Sequence, residues 1–430
     1  MLFMQKISKP LKPFLLVSTI LFTIACGAQT VIRTAGPQNP SVDYKRLERI
    51  DTMVNSYISK GWINGVVTIV VKDGQVVQHK GYGYSDAASK KPMDKNSIFR
   101  IASQTKAIVS AGVLILYDEG KLSLNDPVSK YIPEFAHETV LDKFNAADTS
   151  YTTVPAKRDI TIKDLLTHTS GLDYPGIGGD NMKAIYAKAH IPSGLGEFKE
   201  TLLDRMQALG KLPLAHQPGE KWTYGLNTDL LGCVIEVVSG MNLEDFLRKN
   251  IFEPLSMNDT WFNLPREKFD RLTTVYSEDS LNHVIVWSKD YFGIDPDYPK
   301  FNKHYFSGGA GLSSTAYDYA VFLQMIMNGG NYNGKQILSR RTVDMMLSPQ
   351  LDFSFNGTDN FGLGFEIVTD KGAAGGSRNK GSFAWGGFFG TTYWADPKEH
   401  LICLLMTQQT PDSHGEISTK FEQLVYASLK

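Results

Sequence analysis

Apolar and polar positions divide this chain into strand-patterned ends and a helix-patterned middle. A helical pattern from Tyr44 to Lys60 leads into Val66-Val67-Thr68-Ile69-Val70-Val71-Lys72 and Val76-Val77-Gln78-His79-Lys80, which flank Asp73-Gly74. Two such runs separated by Asp-Gly predict a β-hairpin, because those two residues suit the positive φ angles of a type I′ turn. Beyond Phe99-Arg100-Ile101-Ala102-Ser103-Gln104-Thr105-Lys106 the residues are almost all apolar as far as Tyr117, and Glu119-Gly120 ends the run. That predicts a buried helix closed by glycine.

From about residue 121 to 300 the pattern is mostly helical and broken by loops. Ile160-Thr161-Ile162-Lys163-Asp164-Leu165-Leu166 opens one helix, and Asp229 to Ser239 forms another that Gly240 ends. Strands return at Phe361 to Val368, Thr391 to Ala395 and Leu401 to Met406, with Asp396-Pro397 turning between the last two. A final helix is predicted from roughly Glu416 to Leu429. The economical arrangement is an α/β fold of the α+β type, an antiparallel sheet built from both chain ends and flanked by helices. Residues 43–120 and 305–430 would form the α/β lobe, and 121–304 a second, mainly helical lobe. A cleft between lobes is a natural site, and Ser103 lies where the chain passes from one to the other.

Composition narrows the class. The 430 residues are 42% apolar and 21% charged, with a formal net charge of −1. This is globular composition with ample core, and no electrostatic footprint for nucleic acid is visible. No solenoid or propeller period is present. At the N-terminus, Lys6, Lys9 and Lys12 precede the apolar run Phe14 to Cys26. A basic start, a short apolar core and small residues make a secretory signal over residues 1–28, since about a dozen apolar residues are too few to favour a spanning helix. Ala25-Cys26-Gly27 resembles a bacterial lipobox, with Thr23 where leucine is usual. Processing there would lipidate Cys26 and hold the protein on the periplasmic face of a membrane. A cut after Ala28 would instead release a soluble periplasmic or secreted protein. Residues 29–42, polar and proline-containing, would be a tether. Cys233 and Cys403 both sit in apolar runs, so buried thiols are expected. No Cys/His spacing suggests a metal, no cofactor motif is present, and Gly-x-Ser-x-Gly is absent.

The chemistry centres on Ser103 and Lys106. Residues three apart share a helix face, so the lysine amine can reach the serine hydroxyl. A serine needs a base to take its proton, and a desolvated lysine can do so. The serine also lies in the first turn, where the helix N-terminus favours developing negative charge. A second Ser-x-x-Lys, Ser377 to Lys380, follows the glycine-rich Gly372 to Gly376, a loop composition that cannot hold the pair rigidly. Trp222-Thr223-Tyr224-Gly225-Leu226-Asn227-Thr228-Asp229 places Tyr224 at a loop-to-helix junction. There it is either packing or a proton relay, because a phenol beside an ammonium ionises more easily. In Ser382-Phe383-Ala384-Trp385-Gly386-Gly387-Phe388-Phe389-Gly390, glycines beside a strand are either a bulge or a place where substrate approaches the backbone. A main-chain N–H there and that of Ser103 could together form an oxyanion hole.

In this order these pieces resemble the serine β-lactamase and penicillin-binding-protein superfamily, and within it the class C-like branch with its esterase relatives. The resemblance covers about residues 44 to 426. It is supported by Leu165 to Leu172 (Leu-Leu-Thr-His-Thr-Ser-Gly-Leu), Gly308 to Thr315, and Trp385-Gly386-Gly387 with Trp394-Ala395-Asp396-Pro397. It implies an acyl-enzyme mechanism. Ser103 would attack a carbonyl, Lys106 and Tyr224 would move protons, and the N–H groups of Ser103 and Phe388 would hold the oxyanion. Trp385, Gly386 and Gly387 would contact substrate. His168 looks like part of the family's structural turn and would stay outside the catalytic set.

Two departures shape the expected substrate. The β-lactamase motif Tyr-x-Asn has Leu226 in its third position here, with Asn227 one residue late. The family's Lys-Thr-Gly is replaced by Trp385-Gly386-Gly387. An indole offers an apolar face and one N–H donor but no charge for a substrate carboxylate. The sequence therefore reads as an exported serine hydrolase, an esterase on neutral or apolar esters, with a small-molecule ester or amide as its partner. The nearest alternative is a β-lactamase or D-Ala-D-Ala carboxypeptidase of the same fold. A penicillin-binding-like sensor without turnover is a third, disfavoured by retention of Ser103, Lys106 and Tyr224.

Overall fold

The computed structural model describes residues 30–196, 198–289 and 292–430. The signal segment and Cys26 therefore lie outside the described residues. An eight-stranded sheet organises the fold. Its strands in chain order are β1 (Gly65–Lys72), β2 (Gln75–Asp86), β3 (Lys91–Pro92), β4 (Asn360–Phe361), β5 (Glu366–Ile367), β6 (Phe383–Gly387), β7 (Thr391–Asp396) and β8 (Leu401–Met406). Their order across the sheet is β4-β5-β6-β7-β8-β1-β2-β3, all antiparallel. The two chain ends meet at the β8–β1 pair, with Val67 opposite Met406 and Val71 opposite Ile402. Asp73 and Gly74 close the first hairpin with φ of 53° and 69°, the left-handed pair that a type I′ turn requires.

Both sheet faces are covered, which is why β1 and β8 read as unbroken apolar runs rather than as an alternation. Val66, Val70, Cys403 and Leu405 pack against helices α1 (Arg49–Ser59) and, at the other end of the chain, Ile417–Ala427. Val67, Ile69, Val71, Leu404 and Met406 face the opposite way, onto the helix Ala316–Met327, in a core shared with α2 (Thr105–Asp118). That second core continues from α2 into Leu165, Tyr186, Met206 and Leu230. The segment 121–304 thus shares one core with the sheet instead of closing a separate one. Helix α3 (Asn227–Ser239) packs on α2 at Gly112, where a Cβ would stand 2.9 Å from Leu247 and 3.1 Å from Ile235.

Several expected elements differ in detail. The helix from Tyr44 is broken at Glu48 into Tyr44–Leu47 and α1. The strand expected over Phe361 to Val368 is two short pieces, β4 and β5. Gly364 between them has φ of +94° and lies against Ser110 of α2, where any Cβ would be 2.4 Å from the hydroxyl. The chain dips onto the helix there and cannot stay extended. The glycine-rich stretch before Ser377 was expected as a loop, but Asp370–Gly375 is a short helix whose Thr369 side chain caps Lys371 and Gly372. The middle of the chain also holds hairpins, Thr139–Asn145 with Ser150–Pro155 and Tyr276–Glu278 with Val284–Val286. Much of their surface is exposed, as at Val154 and Val286, so their strands lack the apolar repeat that marks a buried strand.

Candidate active site

The turn that carries Ser103 is built to be rigid. Phe99–Arg100 pairs with Ser313–Ser314, and the fully buried Arg100 donates to the carbonyls of Thr273 and Pro296. Burial pushes that guanidinium down to about 10, which still leaves it charged at neutral pH. Ile101 N–H bonds Leu312 O at 3.1 Å, and Tyr319 Oη donates to Gln104 O at 2.8 Å. Ala102 is held at φ of 42°, a conformation that costs a side chain about 1–3 kcal/mol and persists only where the surroundings impose it. Ser103 follows in a 3₁₀ turn, two residues before α2 begins.

Lys106, 2% exposed, lies one turn further on. Its Nζ is 3.3 Å from Ser103 Oγ, 2.8 Å from Gly309 O and 3.4 Å from Tyr174 Oη. Nζ can donate toward all three neighbours. In the neutral amine that general-base chemistry requires, N–H bonds to Gly309 O and Tyr174 Oη would leave the lone pair for the proton of Ser103. The carbonyl of Gly309 is fixed from behind. Ser307 Oγ donates to the buried Asp229 at 2.6 Å and accepts from Ala310 N at 3.0 Å. A Cβ on Gly309 would be 2.3 Å from Asp229 Oδ2, so the loop backs onto α3 only as glycine. Burial pushes the Asp229 carboxyl up. Burial, reinforced by Asp229, pushes the Tyr174 phenol well up and keeps it neutral.

Tyr224 is beside this group but in a different relation from the one expected. Its ring, not its hydroxyl, faces Lys106, with Nζ 4.5 Å from the ring centre. It belongs to an aromatic wall with Tyr174, Trp385 and His168, at centroid distances of 5.5, 5.7 and 5.4 Å. His168 is buried and held neutral by burial and by Lys106, and its Nδ1 meets Asn227 Nδ2 at 2.9 Å. Asn227 is thus occupied in bracing the His168 turn, and Leu226 is fully buried.

Trp385 and Gly386 line the same cleft as Ser103 and Tyr224. Gly387 is required by close approach, since a Cβ there would be 2.4 Å from Ile101 O and 2.3 Å from Thr391 Oγ1. Glycine lets the end of β6 lie against the nucleophile turn and brings Phe388 beside Ser103 on the cleft wall. The Gly390 N–H bonds Gly387 O at 3.0 Å and closes the turn. Among the described residues, Phe388 N–H meets no protein acceptor. The other Ser-x-x-Lys is not assembled, because Lys380 Nζ bonds the exposed Asp370 at 2.7 Å. Cys233 and Cys403 are free, buried thiols.

The structure thus brings Ser103, Lys106, Tyr224, Trp385, Gly386, Gly387 and Phe388 to one cleft. Sequence reasoning missed Tyr174 and the carbonyl of Gly309. Tyr174 lies two residues past the Leu165 to Leu172 stretch, and Gly309 within the Gly308 to Thr315 stretch. Position beside or inside those marked stretches was the only signal for either.

Comparisons with known proteins agree with this fold. The family model described as Beta-lactamase matches residues 50–427. Protein Rv1367c of Mycobacterium tuberculosis is 34% identical over 368 residues, covering 82% of this chain and 87% of that protein. Esterase EstB of Burkholderia gladioli is 28% identical over 398 residues, covering 88% of this chain and 95% of the esterase. Among solved structures, EstCE1, described as a hydrolase with promiscuous acyltransferase activity, superposes with a TM-score of 0.76 at 25% identity. That match covers 89% of this chain and 99% of EstCE1. With a family match over most of its length and a serine–lysine pair in its cleft, the chain belongs to the beta-lactamase family and is one of its serine hydrolases.

Proposed function

We propose that this protein hydrolyses neutral, apolar carboxylic esters through an acyl-enzyme on Ser103. Ser103 Oγ attacks the ester carbonyl as its proton passes to Lys106 Nζ, and the carbonyl oxygen becomes an oxyanion held by the N–H groups of Ser103 and Phe388. Collapse expels the alcohol, which takes up a proton through the Lys106–Tyr224 group. Water then enters, loses a proton to the same group, and releases the acid from Ser103. The observation that carries the preference for esters is the Trp385 ring on the cleft wall, 5.7 Å from that of Tyr224. Arg378 also lines the cleft, but its Nε is bound to Glu422 at 2.7 Å and Glu366 lies on the same wall. This corner offers no net positive charge to a substrate carboxylate.

The test is a parallel screen of p-nitrophenyl esters, a chromogenic cephalosporin and D-amino-acid peptides. Ester turnover should dominate. Faster turnover of the cephalosporin or a peptide would favour a β-lactamase or carboxypeptidase. No turnover, with labelling by a fluorescent penicillin, would favour a sensor. An anionic β-lactam forgoes a charge-assisted hydrogen bond here, worth roughly 1.5–3 kcal/mol, or about one to two decades in binding. Trp385→Lys should accordingly move the ester-to-β-lactam ratio of kcat/KM toward β-lactam, and an unchanged ratio would remove Trp385 from the explanation.

We also propose export, with lipid on Cys26. The support is the basic and apolar leader that ends at Ala25-Cys26-Gly27. The protein expressed in a bacterial host should partition into detergent, and Cys26→Ser should release or misprocess it. A mature N-terminus at an unmodified Gln29 would show a cut after Ala28 instead.

A further inference from the structure

Two recesses open from Ser103, and they differ in character. One, of about 480 Å³, runs along Trp385 and Gly386 to Glu366 and Arg378. The other, of about 330 Å³, runs under Pro175 and Gly176 to Ile191, Leu195, Ile294 and Ala310. They share Ser103, Ile177, Tyr224 and Phe388, so they are branches of one cleft that meet at the nucleophile. Apart from hydroxyl groups the second branch is apolar throughout. At its lip Ile177 is 62% and Phe292 67% exposed.

Resting on the esterase reading above, we infer that the apolar branch is the acyl pocket and selects acyl groups of roughly six to ten carbons, while the alcohol leaves through the Trp385–Glu366–Arg378 branch. The orientation follows from the order of events. The acyl group stays bound through both chemical steps, whereas the alcohol must depart and water must take its place. The acyl group therefore belongs in the apolar branch. The departing alcohol and the incoming water belong in the branch that carries Glu366 and Arg378, whose polar groups water can solvate. The size follows from volume. A methylene occupies a little less than the roughly 30 Å³ share of a liquid water molecule, so a loosely filled pocket of this volume takes roughly six to ten of them. Ile177 and Phe292 then have a use, since a chain passing between them covers apolar surface that is otherwise wet.

The experiment measures kcat/KM for p-nitrophenyl esters from acetate to palmitate, together with two isomers of one formula, methyl octanoate and heptyl acetate. Each added methylene should raise kcat/KM about threefold to fourfold until the pocket fills, and the gain should stop near eight to ten carbons. Methyl octanoate should be the better isomer by at least tenfold. Ala187→Trp, on the exposed rim of the pocket, should lower the octanoate-to-acetate ratio by tenfold or more. Leu195→Ala should move the optimum to longer chains. A flat or falling series from acetate, a rise that continues to palmitate, a faster heptyl acetate, or a ratio that neither variant moves would each overturn the inference. If acetate is turned over and Ser103 is acylated while the series is flat, the acyl pocket alone falls. If no ester is turned over, the esterase reading falls with it.

Discussion

Ser103→Ala is expected to lower ester hydrolysis by on the order of 10³-fold or more, the scale of loss when an acyl-enzyme nucleophile is removed. Two features single this serine out. The turn carrying it is pinned by Arg100, Leu312 and Tyr319, so Oγ has a fixed place over the cleft. Its neighbour at 3.3 Å is a lysine with almost no exposure. A fluorophosphonate should therefore add to the Ser103 peptide in intact and digested mass spectra, and the Ala variant should not label. Alanine fits the turn sterically, so the variant should retain the melting temperature of the parent to within a few degrees. An adduct on Ser377 would overturn the assignment, although Lys380 is turned toward Asp370 and gives that serine no base.

The second large effect concerns proton transfer. Lys106→Ala and Tyr224→Phe should each cost on the order of 10²- to 10⁴-fold in kcat/KM, and the double variant should lose little more than the worse single one. Groups that move one proton together give such non-additivity. The geometry makes the comparison with Tyr174→Phe informative. Tyr224 meets Lys106 through its ring at 4.5 Å, whereas Tyr174 is the phenol within 3.4 Å of the amine. Burial and Asp229 push the Tyr174 proton on firmly, which suits a fixed neighbour that orients Lys106 better than a group that gives up its proton. Tyr174→Phe should consequently cost less than Tyr224→Phe. If the log losses of Lys106→Ala and Tyr224→Phe simply sum, Tyr224 is not the partner. If Tyr174→Phe shows the coupling instead, the proton route runs through Tyr174.

Local pattern made much of this legible. The Asp73-Gly74 turn, β8 and the helix that follows Ser103 come from short-range rules of turn chemistry, apolar run length and helix termination, and each appears within a residue or two of its expected place, although β2 runs on to Asp86, well past the expected Lys80. The elements that differ are those whose form depends on a distant neighbour. Gly364 breaks a strand because Ser110 lies beneath it. The 139–155 hairpin has too little buried surface to leave a period in the sequence.

The same division holds at the site. Serine and lysine three positions apart at the start of a buried helix are a local fact, and the chain states it by itself. So does the absence of a cation at Trp385, because the identity of a side chain fixes its charge wherever it lies. Tyr174, Gly309 and Phe388 are separated from Ser103 by tens to hundreds of positions, and nothing local marks them as its neighbours. Only the packing of α3 against α2, and of β6 against the nucleophile turn, brings them within reach. Tertiary structure alone also decided that Tyr224 presents its face to Lys106 rather than its hydroxyl, and that a recess without charged groups and one that carries Glu366 and Arg378 part at Ser103. Contact across the fold is set by the shared core, whereas sequence patterns record which face of each element is buried and not what it is buried against.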